Sequence, residues 1–456
     1  MPPSRPAVSV LLALLFGISP SRAAVAKEAP GQDAPSISGI DREKREPGDT
    51  ARAAGNAILV VPRTLIDWSF AGTFAVANLV ANKQLVPRYR DALGTPGGDI
   101  FLFPTVFAET DAPLNLGARI IIKTRHVSSS FRTGYGGNNN LVVEGRLGFR
   151  GGGTRLPFAI SLEGLHERRS DQDYYGLGLT PLTDSRNIFR SRASGREPTV
   201  ARGQYFEVRE RLIAGIAWRL THNFEFYVSG SIGRRVITDD PKDELAMFST
   251  VFEPESVAGF GSRTWLTYLE GAIQFDSRKS TGRPSPGFLL ESYVGGAQDI
   301  FGTDQVAFAR LGFRAAGFIP IYRRRNILSP RLVVDRLQPL GGLEVPFIEL
   351  PRQPEFRGFD HRRDALSIVA SLDYAWELVP FMGMRIFADG ATVAPRVQDL
   401  DVRDFVAMRF AAGLGIDLYS ANAEIGRLTT AFSNEGVNVL LAFGVSSRYG
   451  DRQHRD

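Results

Sequence analysis

The chain of 456 residues contains no cysteine and only five histidines. Without cysteine it has neither disulfides nor thiolate ligands, and its histidines show no metal-binding spacing such as H-E-x-x-H. The G-x-S-x-G elbow of serine hydrolases is missing too, because Ser231 lies in the run SGSIG, which lacks the first glycine. The sequence therefore predicts no metal, no cofactor and no enzyme. Only a hydrolase site assembled from distant Ser, His and Asn residues is left open.

A block of charge of one sign is also missing. Lysine and arginine together number 54, and aspartate and glutamate 49, which gives a formal net charge of +5. These charges are spread along the chain, whereas nucleic-acid binding needs basic residues clustered on one face. The spread argues against nucleic acid as a partner.

The N-terminal apolar run, Val8 to Ile18, is too short to cross a bilayer as a helix. It follows the basic residue Arg5 and precedes an A-x-A site at Ala24-Val25-Ala26. Residues 1–26 are therefore predicted to be a secretory signal peptide. Residues 27–61 are charged and rich in Pro, Gly and Ala, so we predict a disordered periplasmic segment there.

From residue 95 onward, apolar and polar residues alternate over long segments that are separated by polar breaks. In 204–219, for example, Phe206 and Leu212 alternate with Glu207 and Arg209. An Arg facing lipid near the bilayer midplane costs about 2–4 kcal/mol, so the charged face must line a wet interior. The pattern predicts an all-β fold, a single antiparallel transmembrane β-barrel over 95–449, with a polar tail at 450–456. A soluble two-sheet β-sandwich also alternates and is the alternative fold.

The number of strands follows from counting these segments. Fifteen can be recognised, whereas a single-chain bacterial barrel with both ends in the periplasm needs an even number. We therefore expect sixteen strands and place the missing one in 172–200, near the run DYYGLG. The fifteen segments are 100–108, 114–125, 139–150, 156–168, 204–219, 222–238, 265–276, 287–297, 304–318, 326–337, 366–378, 381–392, 404–419, 421–432 and 436–448.

Residues 62–94 form the one good helical stretch. Its apolar part is nearly of membrane length, but Asp67, Asn78 and Asn82 interrupt it. We predict an amphipathic helix that lies at the periplasmic rim of the barrel or plugs its lumen. Its large apolar residues are Trp68, Phe70, Phe74, Val76, Leu79 and Val80.

One stretch near the C-terminal end, 341–393, combines several unusual features. It contains a Gly-Gly pair, a Pro-Phe pair, the tripeptide Arg357-Gly358-Phe359, a basic cluster and then an acidic, aromatic strand. The first part is rich in Pro and Gly and predicts a loop, Leu340 to Asp364. A planar guanidinium that faces one or two carboxylates makes charge-assisted, bidentate hydrogen bonds. Such a pair could anchor this loop inside a wide lumen.

This pattern resembles the barrel of the bacterial surface antigen family, which includes the outer-membrane barrel-assembly insertases and is related to the two-partner secretion transporters. The resemblance implies a barrel of sixteen strands whose sixth extracellular loop folds back into the lumen. It implies that Arg357 is the inserted guanidinium and that Asp389, in the segment FADGA, is its acidic partner. Asp373 stands where the family usually has Glu. We call this set the lumen latch: Arg357, Gly358, Phe359, Asp373 and Asp389.

The chain departs from the family near both ends. Residues 27–95 lack the strand and helix pattern of polypeptide-transport-associated domains, which predicts a barrel-only member. Family barrels finish at an aromatic residue that the assembly machinery reads. Phe443 and Tyr449 are the candidates for this C-terminal assembly signal, although a polar tail follows Tyr449.

The resemblance implies an outer-membrane barrel, with its N-terminus periplasmic, that inserts or assembles proteins or translocates polypeptide. Its partners would be outer-membrane lipid, the barrel-assembly machinery during biogenesis, and an unfolded polypeptide substrate. A weak seam between the first and last strands would be the exit, and Pro104 removes one ladder donor from the first strand. The alternative is a passive pore or structural surface barrel that keeps the fold without translocation.

Overall fold

The computed structural model describes residues 100–443 with short gaps. The predicted signal peptide, the segment 27–61, the helix 62–94 and Tyr449 with the polar tail all lie outside the described residues. The gaps are 110–113, 125, 138–139, 151–157, 194–200, 241–246, 279–283, 302–305, 322–325, 343, 354, 360, 380, 401–407 and 420–423.

Sixteen antiparallel strands form a closed barrel in which each strand pairs with its sequence neighbours and β1 pairs with β16. The predicted fold class is therefore confirmed. The strands are β1 Ile100–Glu109, β2 Asn115–Lys123, β3 Val127–Gly137, β4 Asn140–Arg150, β5 Phe158–Tyr174, β6 Gly203–Arg219, β7 Phe224–Asp239, β8 Arg263–Asp276, β9 Gly287–Asp299, β10 Ala307–Pro320, β11 Asn326–Pro339, β12 Leu366–Val379, β13 Met382–Ala394, β14 Arg409–Tyr419, β15 Glu424–Ser433 and β16 Gly436–Phe443.

Helical structure within the described residues is confined to single turns. Two are α-helical, α1 at Arg190–Ala193 and α2 at Phe248–Val251. Three more are 3-10 turns, at Pro254–Ser256, Phe347–Glu349 and Val397–Asp399. No helix in the described part of the chain is long and apolar enough to span a bilayer.

The sixteenth strand is not where the sequence predicted it. It is β3, Val127–Gly137, whereas 172–200 holds the last residues of β5, a loop and α1. The sequence VSSSFRTGYGG is rich in Ser and Gly, so small residues occupy both faces and hide the alternation of apolar and polar side chains. Pairing with β2 and β4 on both sides stabilises this strand despite its weak intrinsic preference.

The two faces of the barrel differ as the alternation predicted. On β6, Leu212, Ile216 and Trp218 face outward and are about half exposed, at 49, 51 and 53%. Glu207 and Arg209 on the opposite face are 6 and 5% exposed. So large an apolar outer surface is stable only in lipid, and the charged face lines the lumen.

Charges in the lumen are paired between neighbouring strands. Arg310 on β10 donates to Asp335 on β11 at 2.5 Å, and Arg385 on β13 donates to Asp417 on β14. Burial of an isolated ion would be costly, so pairing across the ladder is what allows a charged interior.

The two rims of the barrel have different connections. At the short-turn end, 220–223 join β6 to β7 and 380–381 join β12 to β13. At the long-loop end lie 175–202, 240–262 and 340–365, which we name the β5–β6, β7–β8 and β11–β12 loops. These three loops share one buried cluster, formed with strand residues: Tyr174, Phe189, Tyr205, Ile237, Phe248, Phe252, Phe347 and Ile348. The loops therefore pack on one another at that rim.

Candidate functional site: the β11–β12 loop and its anchors

Arg357 of the β11–β12 loop lies between two acidic side chains of the barrel wall. Its backbone N–H and Nε donate to Asp389 Oδ2 at 3.0 and 2.9 Å, and its Nη2 donates to Asp389 Oδ1 at 2.5 Å. Its Nη1 donates to Asp373 Oδ1 at 2.5 Å. The exposed fractions of the side chains are 12% for Arg357, 8% for Asp373 and 0% for Asp389. We call this triad the inner-wall anchor.

Strand geometry explains why the two acids meet one guanidinium. Asp373 lies on β12 and Asp389 on β13, and the register pairs Asp373 with Phe387, two residues from Asp389. Side chains two residues apart on a strand share a face, so both carboxylates point into the lumen. Phe387 lies on the same face, opposite Asp373. Its ring contacts the guanidinium, with the ring centroid 3.7 Å from Arg357 Cζ.

The electrostatic environment keeps Arg357 charged. Burial alone lowers the pKa of the guanidinium, but the hydrogen bonds to Asp389 and the charge of Asp373 outweigh it, so the pKa is raised. Asp373 also accepts a hydrogen bond from Arg331 on β11 at 2.6 Å. Asp389 thus depends on Arg357 more than Asp373 does.

Gly358 and Phe359 extend the contact along the wall. A Cβ on Gly358 would lie 2.5 Å from the ring of Phe356 and 3.2 Å from Ala411, so close packing is what requires glycine here. Phe359 is buried, and Arg409 of β14 donates to its carbonyl. The structure therefore brings together all five predicted latch residues, and the latch role itself stays a prediction.

The backbone at Arg357 and Gly358, which we call the tip of the loop, is held by a fourth strand. Asn438 of β16 donates from Nδ2 to the carbonyl of Gly358 at 2.8 Å and to that of Arg357 at 3.2 Å. With β12, β13 and β14, this makes four strands that hold one short segment from the lumen side. Sequence reasoning missed Asn438 because an asparagine on a strand carries no motif.

A second anchor ties the loop to another loop. Arg186 of the β5–β6 loop donates to Asp364 through Nη1 at 3.0 Å and Nη2 at 2.6 Å. The hydrogen bond to Asp364 is the largest influence on this guanidinium; it outweighs the effect of burial and raises the pKa of Arg186. We call this pair the loop–loop anchor.

The backbone between these anchors adds further contacts to the β5–β6 loop. Gly178 N donates to the carbonyl of Arg363 at 3.1 Å, and Arg362 Nε donates to the carbonyl of Leu179 at 3.2 Å. Gly176 and Gly178 have φ values of +86 and +83°, which favour glycine. The run DYYGLG was expected near the start of the missing strand. Instead it contains the end of β5 and the first loop residues, among them Gly178, which contacts Arg363.

The C-terminal strand contributes to barrel closure. Phe443 pairs with Val106 on β1 and with Gly426 on β15. Within the described residues, the β1–β16 ladder has four pairs, from Val106 with Phe443 to Glu109 with Leu440. The proposed assembly signal at Phe443 and Tyr449 stays a prediction, since Tyr449 lies outside the described residues.

These features define a class: a sixteen-stranded transmembrane β-barrel whose lumen holds a loop from its long-loop end. Among solved structures, the barrel is similar to BamA from Haemophilus ducreyi lacking POTRA domains 1-3, at 12% identity and a TM-score of 0.51, over 76% of this chain and 70% of that one. This likeness shows a common fold, so the fold implied by the surface antigen resemblance is confirmed.

Two further solved structures are similar at lower scores. CdiB from Acinetobacter baumannii matches at 10% identity and a TM-score of 0.43, over 75% of this chain and 59% of that one. CdiB from Escherichia coli matches at 11% identity and a TM-score of 0.48, over 77% and 64%. The chain thus spans less than two thirds of either CdiB chain. Comparison with family models and with curated proteins gives no match.

Proposed function

We propose that this protein is an outer-membrane barrel that inserts or assembles membrane proteins or translocates polypeptide, with the β11–β12 loop latched in its lumen. The observation that carries the proposal is the inner-wall anchor. A loop that enters a wide lumen loses much conformational entropy, and once held there it obstructs the lumen. Three buried charged side chains, Arg357, Asp373 and Asp389, form the contact that holds the loop against the wall. A gated barrel needs such an ordered obstruction.

The proposed orientation follows from the rims. The short-turn end, where β1 starts at Ile100, faces the periplasm, and the long-loop end faces outward. Bacterial outer-membrane barrels have short periplasmic turns and longer extracellular loops, which supports this placement.

The proposed exit is the β1–β16 seam. Its described ladder runs from the pair Val106 and Phe443 to the pair Glu109 and Leu440, where β1 and β16 close the barrel. Pro104 lies on β1 and lacks a backbone N–H, which removes one possible donor from this edge. A seam that opens laterally would release a new strand into the bilayer.

The test is insertion of an unfolded outer-membrane porin into liposomes that contain the purified barrel. A disulfide between Ala108→Cys and Leu441→Cys would lock the seam, because these residues are register partners on β1 and β16. The matched control lock joins Ala412→Cys and Phe432→Cys, which are partners on β14 and β15. Because the chain has no cysteine, each variant carries a single disulfide.

We expect the wild type to accelerate porin insertion, the seam lock to abolish the acceleration, and reduction to restore it. The control lock should leave the rate unchanged. A barrel that speeds insertion equally with the seam locked would refute the lateral exit. A barrel that never accelerates insertion, yet conducts small solutes steadily with or without Arg357→Ala, would establish the passive pore.

A further inference from the structure

The outer surface of the barrel is covered at the short-turn ends of β12 and β13, where lipid exposure is expected. Tyr374 and Trp376 on β12 face away from the lumen, because Asp373 beside them points into it. Even so, their exposed fractions are 3 and 1%. On β13, Met382 and Met384 share the outward face and are 4 and 1% exposed.

Outward-facing residues elsewhere near the same rim behave differently. Trp218 on β6, Phe226 on β7 and Phe288 on β9 are 53, 41 and 41% exposed. Farther up β12 itself, Leu372 is 48% exposed. At the short-turn end, burial of the outward face is therefore found on β11–β14 and not on β6, β7 or β9, so strand neighbours alone do not produce it.

The covered patch is continuous. It joins Ile321, Tyr374, Trp376 and Met384, with partly buried Leu328, Leu378, Ile386 and Ile416 around them. Asn326 Nδ2 donates to the Tyr374 hydroxyl at 3.1 Å, and both are buried. Apart from these polar groups the patch is formed by large apolar side chains, which favours an apolar cover.

We propose that residues 62–94 pack as an amphipathic helix on this outer wall, over β11–β14 at the short-turn end. Composition favours this segment, because it holds Trp68, Phe70 and Phe74, whereas 27–56 has almost no large apolar residues and 450–456 has none. Residues 322–325 have the sequence Tyr-Arg-Arg-Arg, and three cations are a poor cover for an apolar patch.

The chain is long enough to reach the patch. β1 starts at Ile100 on the same rim, and β13 lies four strands away through β16, β15 and β14, about 19 Å at 4.8 Å per strand. The linker 95–99 extends to about 17 Å, and a helix over 62–94 is about 50 Å long. A helix at this place leaves the lumen to the β11–β12 loop.

This position couples the segment to the inner-wall anchor. Tyr374 follows Asp373 directly on β12, and Met384 precedes Asp389 by five residues on β13. The same two strands therefore present the acids inward and the covered patch outward. The helix would stiffen the wall on which Arg357 is held, and this inference needs only the membrane barrel and not the proposed activity.

The first test is quenching of tryptophan fluorescence by brominated phosphatidylcholine in liposomes. One variant retains Trp376 alone, and its matched control retains Trp218 alone, with the other tryptophans changed to Phe. We expect strong quenching of Trp218 and weak quenching of Trp376. Equal quenching of the two would overturn the proposal, provided that heat-modifiable gel mobility shows both barrels folded.

The second test identifies the segment that covers the patch by thiol crosslinking. Because the chain has no cysteine, only the introduced thiols can react. Single cysteines from Asp67 to Lys83 are each combined with Met384→Cys. We expect crosslinks that recur every three to four residues, as one helix face requires. The control, Arg385→Cys, is the next residue and faces the lumen. Crosslinks to 385 in place of 384 would show a lumen plug, and crosslinks to neither would show that another segment covers the wall; either result overturns the proposal.

Discussion

The β11–β12 loop is held at two places that differ in what they are attached to. The inner-wall anchor joins Arg357 to acids on two strands of a closed barrel, and its side chains are 0 to 12% exposed. The loop–loop anchor joins Asp364, whose side chain is 2% exposed, to Arg186 of another loop, whose side chain is 36% exposed. The first anchor fixes the loop to a rigid wall, whereas the second allows two loops to move together.

The difference in burial sets the expected strength of each anchor. Removing one partner of a buried, hydrogen-bonded charge pair leaves the other charge uncompensated and costs about 3–5 kcal/mol. A pair in which one partner stays in contact with water, as Arg186 does, is partly screened, and we expect its loss to cost less, about 1 kcal/mol. The inner-wall anchor should therefore contribute most of the local stability of the loop. When the inner-wall anchor is broken, the loop–loop anchor should determine how far the loop still stays in place.

The largest effect is expected for Arg357→Ala. Two buried carboxylates lose their shared cation, so the opening free energy of the loop tip should fall by about 3 kcal/mol, on the order of a hundredfold in opening equilibrium. Hydrogen–deuterium exchange of peptides that cover 353–359 measures this directly. Arg357→Lys should recover only part of the protection, because an ammonium cannot bridge both acids with a planar fork. Unchanged exchange in the Ala variant would contradict the anchor.

The second largest effect separates the two acids. Asp389 accepts three hydrogen bonds from Arg357, whereas Asp373 accepts one from it and one from Arg331. Asp389→Asn should therefore weaken protection of the tip more than Asp373→Asn, by about 1 kcal/mol. The same exchange measurement ranks them, and equal losses would show that the two carboxylates act as one site.

The inner-wall anchor could be predicted from the sequence, whereas the loop–loop anchor could not. Arg357, Asp373 and Asp389 stand in a recognisable pattern, and alternation fixes which face of β12 and β13 carries the acids. Arg186 and Asp364 lie 178 residues apart in two loops, where no periodicity relates them. The strand β3 was missed for a related reason: its Ser and Gly residues gain strand structure from neighbours and not from their own preference.

A smaller effect is expected for Arg186→Ala. Its guanidinium is partly exposed, so protection of the peptide that contains Asp364 should fall by about 1 kcal/mol, roughly fivefold. The informative variant combines it with Arg357→Ala. In planar bilayers, Arg357→Ala should leave a flickering current because the loop is still tied at Asp364, and the double variant should conduct steadily. A steady current from Arg357→Ala alone would show that the loop–loop anchor holds nothing.

The smallest effect concerns pH at the loop–loop anchor. Asp184 accepts hydrogen bonds from Arg186 at 2.7 to 3.3 Å. Burial raises the pKa of this carboxyl, but the bonds from Arg186 outweigh burial and lower it. Because the pKa of Asp184 is lowered in the folded state, this carboxylate stabilises the loop at pH values above its unfolded pKa of about 3.9. The contribution is lost as the pH falls through the folded pKa.

Bilayer currents of the Arg357→Ala variant should therefore become steadier below about pH 4, where the loop–loop anchor loses the support of Asp184. Adding Asp184→Asn removes the titrating group, so that variant should show its steadier current already at pH 7 and a smaller change on acidification. An equal change in both variants would assign the pH response to other carboxylates of the lumen.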